Sequence, residues 1–140
     1  MSGTTVGESL HQLMHAYKRA LRQAYAEAGL ALTVSHIRTL KAIRRQAPCT
    51  AQHIAHHTQR DKAQITRLLR ELIDADIIVR TPHPDDRRSQ ILSLTEHGRA
   101  VLTQVDACER EAHTRLSSGM APADLEAFLR LSRLMISNLN

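Results

Sequence analysis

The stretch whose reading decides the fold runs from Asp61 to Gly98, DKAQITRLLRELIDADIIVRTPHPDDRRSQILSLTEHG. Its first part sets Ile65, Leu68, Leu69, Leu72 and Ile73 at three- and four-residue steps, the period of a helix with one buried stripe. Asp61 is the expected N-cap: its carboxylate accepts from orphan backbone N–H groups while Gln64 reaches back, an Asp variant of the capping box. Lys62, Gln64, Thr66, Arg67 and Arg70 are left for the outer faces. The period then changes. Ile77, Ile78 and Val79 form a β-branched run, Thr81 to Asp86 carries prolines and aspartates, and Ile91, Leu92 and Leu94 supply a second short strand. This predicts a β-hairpin with a loop of about six to ten residues. Thr95 is placed to cap the helix that follows.

Working outward, the apolar positions Leu10, Leu13, Met14, Tyr17, Leu21, Ala24 and Tyr25 predict a first helix over 6–28 that ends near Gly29. Thr33 can cap a second helix carrying Val34, Ile37, Leu40 and Ile43, stopped before Pro48. Thr50 can cap a brief third one through Ile54 to about Thr58. Beyond Thr95, Val101, Leu102, Val105, Ala112 and Leu116 predict a long helix, broken at Gly119 and Pro122, and a last one follows to about Leu139. The chain is therefore expected to be mainly α with a small β-hairpin wing, as a single domain over 1–140. Within it, residues 33–95 form a winged helix-turn-helix lobe, flanked by terminal helices at 6–28 and 96–140.

Composition agrees with this class. Apolar residues make up 42% of the 140 and aromatics 2%, so the core comes from Leu, Ile, Val and Ala, which suits helix-on-helix packing. The formal charge of +5 favours an anionic partner. It is also localised: between Ser35 and Arg70, Arg38, Lys41, Arg44, Arg45, Arg60, Lys62, Arg67 and Arg70 face a single acid, Asp61. No apolar run reaches the roughly 18 residues that span a bilayer, and the start MSGTTVGESLHQ lacks the pattern of a signal peptide, so a cytoplasmic location without membrane contact is expected. Cys49 and Cys108 stand far apart with no CxxC spacing, which writes neither a disulfide framework nor a zinc ribbon. No paired carboxylates, nucleophile motif or Gly-rich phosphate loop appears, so neither an enzyme nor a cofactor is expected.

Two short helices, the second displaying Gln, Thr and Arg, followed at once by a basic-tipped hairpin, supply what duplex reading requires. A helix fits the major groove, where arginine pairs with guanine and glutamine with adenine, and a hairpin reaches the adjacent minor groove. Three segments make this specific: Asp61 to Arg70 (DKAQITRLLR), Asp86 to Arg88 (DRR) and Leu94 to Arg99 (LTEHGR) resemble the MarR family of bacterial transcription regulators. The resemblance implies a recognition helix at Asp61 to Ala75 and an Asp-x-Arg wing motif at Asp86, Arg87 and Arg88. In that motif Asp86 orients Arg88 by a charge-assisted hydrogen bond, and an arginine of the tip enters the minor groove. It further implies a repressor released by a small-molecule effector. One departure is Asp76, where the family often has Gly; Asp enters the left-handed region less readily.

Leu125, Phe128, Leu129, Leu131, Leu134, Met135, Ile136 and Leu139 occupy more than one face of the last helix, which asks for burial on several sides. With the first helix and the long one, it is expected to pack on a second copy. Such a homodimer sets two recognition helices roughly 34 Å apart on a palindromic operator.

The sensing site is less determined. Tyr17 and His36 are candidates for contact with a small-molecule effector. His11 and His15, His36, and Glu109 with His113 offer metal-ligating pairs one helical turn apart, the basis of an alternative zinc-responsive reading. His53, His56 and His57 are expected to face DNA or solvent. Cys108 reads as a small hydrophobe, and Cys49, in a loop, as the more accessible thiol. A winged-helix protein-interaction module without DNA binding is the remaining alternative, opposed by Arg67, Arg70, Arg87 and Arg88.

Overall fold

The structure, a computed structural model, describes residues 3–58 and 60–140, and His57 by its backbone only. Six helices and three strands follow in the order α1 (Val6–Glu27), α2 (Val34–Arg45), β1 (Cys49–Thr50), α3 (Ala51–Thr58), α4 (Lys62–Asp74), β2 (Ile78–Pro82), β3 (Gln90–Leu94), α5 (Glu96–Leu116) and α6 (Pro122–Leu139). Side-chain caps begin five of the helices, α3 among them through Thr50, whose hydroxyl accepts from the His53 N–H. Thr5 accepts from the Glu8 N–H, Thr33 from His36, Asp61 from Gln64 and Thr95 from Gly98. At Asp61 only this half of the expected capping box forms, at 2.8 Å, with no return bond from Gln64 among the described residues. The second helix closes its box with the imidazole of His36, a partner the sequence did not suggest.

The hairpin is part of a three-stranded antiparallel sheet in the order β1-β3-β2. Cys49 and Thr50 pair with Leu92 and Ile91, while β2 pairs with β3 from Ile78↔Leu94 to Pro82↔Gln90. Residues 83–89 form the tip, inside the expected loop length. The extra strand is two residues long and has no periodicity to read.

One core joins these elements. Leu40, Ile54 and Val105 are wholly buried, with Leu72, Ile78 and Leu102 next to them. Each such side chain contributes about 1.5–3 kcal/mol by leaving water. The C-terminal part of α1 joins this core through Leu21, Ala24 and Tyr25 and lies along α5. By contrast α6 buries no residue, and its Phe128, Leu129, Leu131, Leu134, Met135, Ile136 and Leu139 are exposed, as are Val6, Leu10, Leu13 and Met14 of α1. No helix is long and apolar enough to cross a membrane among the described residues.

The joint between α4, the sheet and α5 is closely fitted. Asp76 takes the left-handed conformation, φ 59°, so the chain makes the turn that glycine would make more easily. The Ile77 carbonyl next to it accepts from the Thr95 N–H at 3.0 Å, while the Thr95 hydroxyl donates to the Asp76 carbonyl at 2.6 Å with the Ile77 oxygen at 3.1 Å. Gly98 sits over the Ile77 carbonyl, and a Cβ there would come within 2.1 Å of it. The Leu94 to Arg99 segment is thus a clasp: Thr95 caps α5 and holds the base of the hairpin, and Gly98 is the residue small enough to let them meet.

Candidate nucleic-acid interface

Helix α4 presents two faces. Ile65, Leu69 and Leu72 are buried, and Lys62, Gln64, Thr66, Arg67 and Arg70 are exposed. The amphipathic pattern requires this division, since turning the apolar stripe inward leaves the polar set outside. The Thr66 hydroxyl donates to the Lys62 carbonyl at 2.8 Å, which leaves its oxygen free only as an acceptor. Lys62, Arg67 and Arg70 have no carboxylate partner among the described residues, so their charge is available to an outside anion.

At the wing tip the structure refines the expectation for Asp86. One carboxylate oxygen accepts from the backbone N–H of Arg88 at 3.0 Å and the other from the Ser89 hydroxyl at 3.1 Å. The carboxylate closes a tight turn with the main chain, and no bond to the Arg88 guanidinium occurs among the described residues. Asp86 therefore acts on Arg88 through the backbone. These two bonds also hold its carboxyl below the ordinary aspartate range. The turn is extended on the other side by His83, whose Nδ1 accepts from the Asp85 N–H at 3.0 Å. Arg87 and Arg88 are exposed.

Between α4, the start of α3 and the wing lies an open groove of about 380 Å³. Its lining includes Gln52, Thr66, Arg80, Arg87, Arg88 and Gln90, over a floor of Leu69 and Leu92, and no acid. Gln52 and Arg80 were not singled out from the sequence; the alternation of β2 carries the signal for Arg80 and the fold alone brings Gln52 in.

The proposed sensing residues do not converge. His36 accepts from the Thr33 N–H through Nδ1, which puts the ring proton on Nε2, toward the Glu71 carboxylate of α4. Both nitrogens are engaged, Nδ1 in the cap of α2 and Nε2 in tying α2 to α4, and His36 does not join Tyr17 in lining a groove. Glu109 is likewise engaged: it accepts from the Tyr25 hydroxyl at 3.3 Å and pairs with the Lys41 ammonium, tying α1, α2 and α5 together. Burial, then Glu109, pushes the Tyr25 phenol well up. His11, His15 and His113 are exposed. Among the described residues no three His, Cys, Asp or Glu side chains come together in a group able to hold a metal ion. His53 is half-buried and closes the cap of α3 with Thr50 through Nδ1; His56 is exposed, and the side chain of His57 lies outside the described ones. Cys49, expected to be accessible, is buried in β1, and burial pushes its thiol up as it does that of Cys108.

An exposed reading helix beside a basic wing is the arrangement of a duplex-binding protein, and the comparisons with known proteins place it. The model of the MarR family matches residues 32–90, the α2-to-wing segment. The HTH-type transcriptional repressor NicR of Pseudomonas putida is 31% identical over 130 residues, covering 91% of this chain and 82% of its own. The chain belongs to the MarR family. It is thus a DNA-binding transcription regulator and not an enzyme. A mutant MarR from E. coli complexed with operator DNA superposes with a TM-score of 0.80 at 21% identity, over 93% of this chain and 92% of that one. BpsR of Bordetella bronchiseptica, described in its regulation by 6-hydroxynicotinic acid, gives 0.78 at 24% identity, over 94% and 92%. These likenesses extend the MarR fold to the terminal helices.

Proposed function

We propose that this MarR-family chain is a homodimeric repressor that grips a palindromic operator with α4 in the major groove and a wing arginine in the adjacent minor groove. The observation that carries this reading is the shared exposure of Lys62, Gln64, Thr66, Arg67 and Arg70 on α4 and of Arg87 and Arg88 on the wing, two basic elements joined through one clasp. A narrow A·T-rich minor groove concentrates the negative potential that attracts an arginine, and the Asp86 turn preorganises the segment that delivers it. In this reading residues 33–95 are the DNA-binding lobe and 6–28 with 96–140 the dimerisation helices. The bare apolar faces of α1 and α6 support the dimer, since exposed patches of this extent mark an interface.

An effector would act between these parts. Tyr17 lines two adjoining grooves, one with Asp106, Glu109, Arg110 and His113, the other with Leu10, Leu13, Met14 and Phe128. They offer a polar end and an apolar end to one small molecule. The relative BpsR supplies the first probe, 6-hydroxynicotinic acid.

A mobility-shift titration on the duplex upstream of the chain's own coding sequence tests the reading head. Replacing Arg88 by Ala weakens binding to all duplexes and lowers the salt dependence, and replacing Gln64 or Arg67 changes the preference between sequences. Equal, weak binding of wild type and Arg88→Ala to specific and scrambled DNA refutes it.

A further inference from the structure

Arg80 is exposed, yet it lies on the face of β2 that carries buried Ile78. Along β2 the side chains alternate, so Arg80 shares a face with buried Ile78, and its cross-strand partner is buried Leu92. That face looks toward α4. Arg80 consequently lines the groove between α4 and the wing, over Leu69 and Leu92, in the company of Arg87 and Arg88. No carboxylate lines this groove, and none of the three arginines forms an ion pair among the described residues. Three cations around one concave, apolar-floored space repel one another unless an anion enters it.

The position of the groove says which anion. A duplex that meets α4 in one groove and the wing in the next must pass the sugar-phosphate strand separating those grooves between the two elements. We propose that Arg80, assisted by the Gln52 side chain across the groove, seats a backbone phosphate of that strand. This rests on the DNA-gripping reading given above and assigns within it a positioning contact that carries no base information. A guanidinium on a rigid paired strand suits this role, because its fork matches two phosphate oxygens and little freedom is lost on binding. It fixes the depth at which α4 enters its groove, whereas the residues of α4 choose the sequence.

Inward-pointing charge on an edge strand has another known use, the prevention of edge-to-edge pairing, and β2 is an edge. The two roles separate experimentally. A duplex enriched by the full wild-type chain from a random library, and a scrambled version of it, are titrated by fluorescence anisotropy at stepped KCl with wild type, Arg80→Gln and Arg80→Lys. Arg80→Gln should weaken both duplexes by the same factor, about tenfold, the weight of one hydrogen bond to a charged group. It should also reduce the slope of log K against log salt by about 0.9 for each arginine removed from the complex. Arg80→Lys should restore the slope and only part of the affinity. Wild-type affinity and slope in Arg80→Gln overturn the proposal and leave Arg80 as an edge guard, as does a loss of thermal stability in Arg80→Gln that accounts for the weaker binding. A loss confined to the enriched duplex overturns it too, by making Arg80 a base reader. Failure of wild type to enrich any duplex is a different result, which removes the DNA-gripping reading itself.

Discussion

Replacing Gly98 by Ala tests the clasp with a sign as well as a size. In an ordinary helix this change is favourable by about 1 kcal/mol, because alanine loses less backbone entropy and covers the backbone better. At Gly98 the new Cβ would lie 2.1 Å from the Ile77 oxygen, about 1.3 Å inside the 3.4 Å at which ordinary contact begins. The obstacle is backbone on a paired strand end and cannot swing away like a flexible side chain. Relief requires α5 to lift from the α4–β2 turn, which loosens the Thr95 N–H bond to Ile77 and its hydroxyl bond to Asp76, each worth about 1 kcal/mol. Strain of about 1–3 kcal/mol is added where the joint does not fully yield. After the propensity gain, the net loss is about 2–4 kcal/mol, a large share of the roughly 5–15 kcal/mol that holds a domain together. Urea unfolding at fixed chain concentration reads this as a midpoint lower by about 1–2 M. The control is Gly7→Ala in α1, where the nearest atom to the added carbon is the Thr5 hydroxyl oxygen at 4.0 Å, and which should be neutral or stabilising. A Gly98→Ala midpoint at or above that of wild type refutes the reasoning.

Three further outcomes are expected. Asp86→Ala, which frees the Arg88 N–H and the Ser89 hydroxyl of an exposed turn, should leave the unfolding midpoint in place and weaken DNA binding by roughly two- to tenfold, the cost of ordering a loosened segment on binding; unchanged affinity in a mobility shift removes the turn from the function. The Arg44 guanidinium holds the Asp106 carboxyl below its ordinary value through bonds of 2.8 and 3.2 Å, so the stability it adds is complete above the unfolded value near ~3.9 and is lost as pH falls through the lower folded one. Because the pair is partly exposed, Asp106→Asn should cost under about 1 kcal/mol at pH 7 and nothing at the acid end, and a gap that widens on acidification contradicts this. Native protein should react with a thiol reagent only as fast as it opens, since Cys49 and Cys108 are buried and their thiols pushed up, and rapid stoichiometric labelling without denaturant would show otherwise.

What could be read from the chain was local. The caps at Thr33, Asp61 and Thr95 and the stripe of α4 are visible because each is a pattern within a few residues, and the same is true of the two wing strands. The division of α4 into Ile65, Leu69 and Leu72 inside and the polar set outside follows from that stripe. What escaped involves partners distant in sequence or patterns too short to repeat. Glu71 meets His36 and Glu109 meets Lys41 across separations of 35 and 68 residues, and no spacing rule joins them. Those two pairs give His36 and Glu109 structural partners that their spacing in sequence does not show. The strand at Cys49 and Thr50 is too short for alternation to show, and this is why Cys49 looked like a loop thiol. For Asp86 the partner residue, Arg88, was identified and the donating group was not: the carboxylate accepts from the Arg88 backbone N–H and not from its guanidinium.

The joint at Asp76 and Ile77 makes α4 and the wing two jaws of a caliper. The turn at Asp76 sets one jaw, the start of β2 carries the other, and Thr95 with Gly98 pins both to α5 through the neighbouring Asp76 and Ile77 carbonyls. Such an instrument has one opening. A duplex that fits it must already have, or cheaply acquire, the groove widths that the opening demands, so base steps lying between the jaws and touched by no side chain enter the choice of site through their stiffness. On the proposed grip of α4 and the wing, the selectivity of this regulator would be written partly in a hydrogen-bonded joint far from any base, and a change at that joint would reshape the operator it prefers.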